Sequence, residues 1–202
     1  MSDRLFSGDV LFLQRLLSCC GLYTDTLDGD YGKHTSDAEA AFEERCRVIA
    51  MSEGGVDGRS EANIRSLQIV AQPLARRSLR ALKEGGKAAG LDARIISGTR
   101  SYEEQNALFR QGRFGNPGNR VTKARGGQSW HNFGLAWDIG LFADGKYVIT
   151  DTKYEAAAAH GKVAGLEWGG DWKSFPDFPH YQVGAEGRSI SSARARFEAG
   201  GR

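Results

Sequence analysis

Residues 135–141 carry the pattern that most restricts the fold, a strict alternation typical of a half-buried β-strand. Large apolar side chains occupy one face (Trp137, Ile139 and Leu141), and small or acidic residues occupy the other (Ala136, Asp138 and Gly140). The small neighbours leave space above the sheet beside the Asp138 carboxylate. We therefore expect a sheet with one packed face and one face that can accommodate an ion.

One histidine lies shortly before this strand, and another opens a second predicted strand at residues 180–183. His131 precedes the first strand in a loop, and His180 follows Asp177 by three positions, with Pro179 preventing a helix between them. Catalytic zinc requires such a set: three protein ligands, an open position for water and a nearby base. Because the chain has only 4 histidines, two of them in these settings indicate a metal site.

Helical patterns come first in the chain and non-adjacent strands follow, which predicts an α+β fold with an antiparallel sheet. Residues 93–98 predict a strand, and Ser101–Glu104 predicts a capping box that opens a helix. A second capping box, at residues 36–39, predicts a helix start near the N-terminus. The glycine-rich residues 112–128 predict a long loop.

Composition divides the chain at a polar, glycine-rich segment. Residues 51–59 predict a linker between a small all-α helical module, residues 1–50, and a larger domain, residues 60–202. About 45 residues make a marginal core on their own, so the helical module is alternatively a cap that docks on the rest.

Charge and hydropathy exclude several classes of protein. The balance of 27 basic and 25 acidic residues gives a net charge of +2 and no nucleic-acid or membrane signature. No apolar run approaches the roughly 20 residues that span a bilayer. The first residues lack the apolar stretch of a secretory signal, so we expect synthesis in a bacterial host cytoplasm. Three sparse cysteines indicate no disulfide framework, and the absence of a coiled coil favours a monomer.

Three segments resemble the M15 family of zinc peptidases, in the branch of phage endolysins and L-alanyl-D-glutamate peptidases. They are residues 96–105, Ser129 through Asp138, and residues 167–180. The resemblance covers about residues 60–202. It implies the antiparallel sheet with helices shared by hedgehog domains and D-Ala-D-Ala peptidases, and it implies one Zn²⁺.

The resemblance also implies roles at matching positions. His131, Asp138 and His180 correspond to zinc ligands, Asp177 to the general base, and Arg100 to a contact for substrate or oxyanion. Further supporting or substrate-binding positions are Ser129, Asp171, Trp172 and Tyr181. Glu167 is an alternative candidate for the base.

The N-terminal segment resembles a peptidoglycan-binding module of the domain-1 type. The matching residues are 10–17, 21–23, 27–32 and 38–42. This resemblance implies binding to cell-wall glycopeptide, without assigning any ligand residue.

These implications predict a zinc-dependent peptidoglycan endopeptidase that cuts between L-alanine and D-glutamate of the stem peptide, acting in the periplasm or cell wall. Alternatives are D-alanyl-D-alanine carboxypeptidase activity and a non-catalytic zinc or cell-wall binding module, as in hedgehog signalling domains. A phage endolysin, a secreted effector and a cytoplasmic recycling enzyme all fit the absence of a signal sequence.

Overall fold

The structure, a computed structural model, describes residues 7–149, 152–184 and 187–201. Its helices are α1 (Ser7–Cys19), α2 (Lys33–Glu53), α3 (Gly58–Arg65), α4 (Gln72–Gly86), α5 (Tyr102–Arg110), α6 (Thr152–Ala159) and α7 (Ile190–Glu198). Its strands are β1 (Leu91–Ser97), β2 (Ala136–Ala143), β3 (Lys146–Tyr147), β4 (Leu166–Trp168) and β5 (His180–Val183). Short 3₁₀ turns lie at Lys87–Ala89, Trp130–Phe133 and Gly169–Asp171. Within the described residues, no helix combines the length and apolarity needed to cross a membrane.

The strands form one antiparallel sheet in the order β1-β2-β5-β4, with β3 paired to β2 at its far end. This arrangement confirms the α+β class predicted from the sequence. The two central strands, β2 and β5, carry two of the three predicted metal ligands, Asp138 and His180.

Burial confirms the predicted core face of β2, although Ala136 and Gly140 on the other face are buried as well. Trp137, Ile139 and Leu141 are fully buried on the core face. Trp137 stacks on Tyr181 of β5 with an interplanar angle of 11°, so the cross-strand pair packs as a unit. Because side chains alternate along a strand, packing this face turns Asp138 to the opposite one.

Contacts group the chain into two compact units. The first contains the described residues up to Arg45, Arg100–Gly134 and those from Arg188 onward; in it α1 packs against α7. The second contains Cys46–Thr99 and Leu135–Gly187, where α3 and α4 pack against β1 of the sheet. Such a grouping does not test where a domain folds independently, so the predicted domain boundaries remain a prediction.

An aromatic cluster forms the centre of the first unit. The ring of Phe197 in α7 lies 5.3 Å from that of Phe12 in α1 and 5.5 Å from that of Phe133. Tyr102 of α5 also contacts Phe12, at 6.2 Å between ring centroids. Helix α1 is therefore held by residues from both of the later segments of this unit.

Helix boundaries differ from prediction in the N-terminal part. The capping box predicted at residues 36–39 is wrong as a helix start, because α2 already begins at Lys33 and the Ser36 amide donates to the carbonyl of Gly32, the residue before the helix. The predicted linker begins inside α2, which continues to Glu53. Gly54, at φ 92°, ends the helix because glycine adopts this left-handed conformation without strain.

Candidate active site

Asp138 and His180 face each other across two neighbouring strands. They are register partners in the antiparallel β2–β5 pair, and His180 Nδ1 lies 3.3 Å from Asp138 Oδ1. The side chains are 8% exposed for His180 and 23% for Asp138, so the pair is partly shielded from solvent. Two polar groups are thus brought together by strand pairing alone.

His131 lies in the 3₁₀ turn Trp130–Phe133, just before β2, and is 1% exposed. Its backbone carbonyl accepts a hydrogen bond from the Arg100 amide at 3.1 Å. The side chain of the neighbouring Asn132 donates to the carbonyls of Arg100 and Ser101, at 2.9 and 3.3 Å. These bonds fix the segment that carries Arg100 to the turn that carries His131.

One ligand atom each from His131, Asp138 and His180 lies within 4.8 Å of the other two. Two ligands about 2.0 Å from a tetrahedral zinc ion are separated by about 3.3 Å, which matches the distance between His180 Nδ1 and Asp138 Oδ1. Two nitrogen donors and one carboxylate also match the donor types of catalytic zinc sites with an open fourth position. The three residues therefore fit a zinc ion.

Asp177 lies in the turn that leads into β5, and backbone hydrogen bonds hold that turn. Its amide donates to Gly169 O at 3.0 Å, and its carbonyl accepts from the His180 amide at 3.1 Å. The indole N–H of Trp168 donates to the carbonyl of Phe178 at 2.8 Å. The negative charge of Asp177 also contributes to raising the pKa of the His180 imidazole.

Burial and nearby negative charge shift the pKa of His180 in opposite directions. Burial lowers its pKa, but the Asp138 carboxylate, the Gln182 side chain and the charge of Asp177 raise it, and the net direction is upward. The same negative charges that favour a proton on this ring also favour a bound cation.

The remaining predicted positions have different environments. Trp172 is 37% exposed and its ring lies 5.1 Å from the His180 ring, so it borders the site. Asp171 is exposed and pairs with Lys162 at 2.7 Å. Tyr181 is buried in the core and donates to Ala158 O. Ser129 starts the His131 turn, where its carbonyl accepts from the Asn132 amide.

The sequence analysis assigned no role to three supporting residues, although alternation along the strand places Gln182 on the same side as His180. Asn132 connects two segments, Gly169 lies under the Asp177 turn, and Gln182 contacts His180. Only Gln182 had a readable signal, because residues two apart in a strand share a face. Glu167, considered as an alternative base, bonds to Gln182 instead, through its Oε2.

Known proteins match parts of this chain. A family model of the M15 peptidases, described as D-alanyl-D-alanine carboxypeptidase, matches residues 122–183. The peptidoglycan L-alanyl-D-glutamate endopeptidase CwlK of Bacillus subtilis (strain 168) is 40% identical over 121 residues, which cover 55% of this chain and 72% of that protein.

Two further matches are more limited. The L-alanyl-D-glutamate peptidase of Listeria phage A118 is 32% identical over 133 residues, which cover 64% of this chain and 42% of that protein. The crystal structure of the Serratia marcescens L-Ala D-Glu endopeptidase ChiX overlaps 67% of this chain and 94% of that chain, with 24% identity and a TM-score of 0.49. An overlap at that TM-score supports no inference about the site. The CwlK match, at 40% identity over 72% of that relative, shows that this chain belongs to the M15 peptidase family.

Proposed function

We propose that this chain is a zinc-dependent peptidoglycan endopeptidase that hydrolyses the L-alanyl-D-glutamate bond of the stem peptide. The observation that carries the proposal is the close grouping of His131, Asp138 and His180. The bond is proposed from the names of the two curated relatives, both L-alanyl-D-glutamate peptidases.

His131, Asp138 and His180 would hold the zinc ion. A zinc ion bound there would act as a Lewis acid, which lowers the pKa of a water molecule and polarises a peptide carbonyl. The shielded setting of Asp138 and His180 strengthens electrostatic interactions, because fewer water molecules screen them.

Asp177 is proposed to accept the proton of the attacking water and to pass it to the leaving amine. Backbone hydrogen bonds hold both the amide and the carbonyl of Asp177, so the backbone that carries the carboxylate is fixed relative to His180. A general base of this kind contributes about 10²–10⁴-fold to the rate. Arg100 is proposed to bind a substrate carboxylate or the developing oxyanion, since its backbone is tied to the His131 turn.

A second candidate activity is D-alanyl-D-alanine carboxypeptidase, because the matching family model carries that description. Synthetic stem peptides that end in D-Ala-D-Ala distinguish the two activities in one assay. Cleavage after L-alanine supports the endopeptidase, whereas release of D-alanine alone supports the carboxypeptidase. A non-catalytic binding module would leave the peptide intact while the protein still binds zinc.

The N-terminal helical module is proposed to bind cell-wall glycopeptide. A groove of about 430 Å³ in the first unit, lined in part by Tyr23, His34 and Asp37, is the candidate surface. Variants Tyr23→Ala and Asp37→Ala in the full chain are expected to reduce co-sedimentation with insoluble peptidoglycan. Unchanged sedimentation of both variants would refute this role for the groove.

The proposed partner is peptidoglycan alone, with the protein acting as a monomer in the periplasm or cell wall. The curated relatives come from a bacterium and from a phage. Roles in phage lysis and in bacterial wall turnover are therefore both compatible with them.

A further inference from the structure

A partly buried chain of hydrogen bonds extends from His180 across the same face of the sheet, in the direction of β4 and away from Asp138. His180 Nε2 lies 3.0 Å from Gln182 Oε1, and Gln182 Nε2 donates to Glu167 Oε2 at 2.8 Å. Gln182 is 3% exposed, so its amide is effectively removed from solvent. The sheet creates this chain directly, because Gln182 lies two residues after His180 in β5 and is the register partner of Glu167 in β4.

On the strand opposite β4, a small residue lies beside Gln182. Ala136 of β2 is the register partner of Gln182 and is fully buried. A larger side chain at this position would compete for the space that the amide occupies.

The direction of donation along these hydrogen bonds follows from Glu167, the residue at the outer end. A glutamate carboxylate only accepts hydrogen bonds, so the NH₂ group of Gln182 must face Glu167. The Gln182 oxygen then faces His180, and an amide oxygen also only accepts. His180 must therefore donate from Nε2, which leaves the lone pair of the neutral ring on Nδ1. Nδ1 is the atom that lies 3.3 Å from Asp138 Oδ1.

We infer that Gln182 and Glu167 are positioning residues that fix the His180 ring so that Nδ1 is its metal-binding atom. This inference rests on the proposed function, since it concerns the same zinc site. Glu167 thereby has a role two hydrogen bonds away from the metal-binding histidine, in place of the role of a base. Neither residue touches the substrate; both act through His180.

The expected effect is on zinc affinity. Hydrogen-bond partners of metal-bound histidines typically contribute about 10–100-fold to metal affinity. Gln182→Leu removes the acceptor at similar side-chain size and should weaken zinc binding by about that factor. Glu167→Gln keeps a hydrogen-bonding group that no longer dictates the amide orientation, so its loss should be smaller.

Exchanging the two residues separates orientation from simple packing. The double variant Glu167→Gln with Gln182→Glu places a carboxylate acceptor beside His180 and an amide donor behind it. It should restore zinc affinity to within a few-fold of the unaltered protein. The single variant Gln182→Glu should not, because two carboxylates then face each other.

The test is zinc affinity measured by competition with a chromophoric chelator on the full chain. Nitrogen-15 NMR of the metal-free protein should also show the His180 proton on Nε2 in the unaltered protein. Gln72→Leu is the matched control, because Gln72 is fully buried in the same unit and bonds to Cys46 Sγ and Leu67 O. Its zinc affinity should be unchanged.

The outcomes distinguish this inference from the proposed function. Zinc binding that depends on His180 but is unaffected by Gln182→Leu would overturn the positioning role alone. A His180 ring that carries its proton on Nδ1 and none on Nε2 would overturn it as well, even if Gln182→Leu proves too unstable to assay. No zinc binding by the unaltered protein would overturn the proposed metal site and this inference together.

Discussion

Gly169 controls the position of the proposed base, and the substitution Gly169→Ala tests that control. A Cβ atom added at Gly169 would lie 2.4 Å from the Asp177 carbonyl oxygen and 3.1 Å from both the Asp177 and the His180 Cβ atoms. The first contact is with backbone, so no side chain can simply rotate away. The residues beneath the new methyl group are the proposed base, Asp177, and a proposed ligand, His180.

The size of the effect follows from that contact. Real Cβ atoms essentially never come within 3.0 Å of such atoms, so the Asp177 carbonyl must move from 2.4 Å to at least that distance. The same carbonyl accepts from the His180 amide, and the Asp177 amide donates to Gly169 O, so the displacement affects both residues. Misplacing a catalytic group by about 1 Å can cost about 10²-fold, and we expect a loss of about 10–100-fold in kcat/KM.

The assay is the initial rate of cleavage of a stem peptide, with the thermal midpoint measured in parallel. Gly55→Ala is the matched control, because Gly55 lies in a loop of the same unit and a Cβ there meets nothing within 4 Å. It should retain full activity. A folded Gly169→Ala protein with the rate of the unaltered enzyme would refute the claim that this turn sets the geometry of the base.

Three further substitutions have distinct expected results. Asp177→Asn should lower kcat by about 10²–10⁴-fold while zinc affinity stays within a few-fold; unchanged cleavage would exclude Asp177 as the base. His131→Ala should abolish stoichiometric zinc binding by metal analysis, and retention of one bound ion would exclude it as a ligand. Phe197→Ala, at a residue 1% exposed within the aromatic cluster, should lower the free energy of unfolding by about 3–5 kcal/mol in denaturant titrations. A change below about 1 kcal/mol there would contradict the importance of that cluster.

Local patterns predicted the central elements well. The alternation over residues 135–141 gave β2 and its buried face, and Ser101 with Glu104 forms the predicted capping box at the start of α5. These succeed because each depends on neighbouring residues only. Strand β5 begins at His180 for a similar reason, since Pro179 cannot continue a helix.

Tertiary contacts determined what the sequence left open. Strand β4 has only three residues and exists because it pairs with β5, which no short pattern announces. Helix α7 was missed because its sequence is largely polar, with only Ala193 and Phe197 buried. The pairing of Asp138 with His180, 42 residues apart, depends on strand order, and the sequence indicates that order only through resemblance to the M15 peptidases.

The central claim is zinc-dependent cleavage between L-alanine and D-glutamate, and mass spectrometry of digested peptidoglycan tests it most directly. The account predicts fragments with new L-alanine C-termini and D-glutamate N-termini, which disappear with a chelator and return when zinc is added back. Cleavage at that bond that persists in the zinc-free protein, or a digest that yields only free D-alanine, would contradict it.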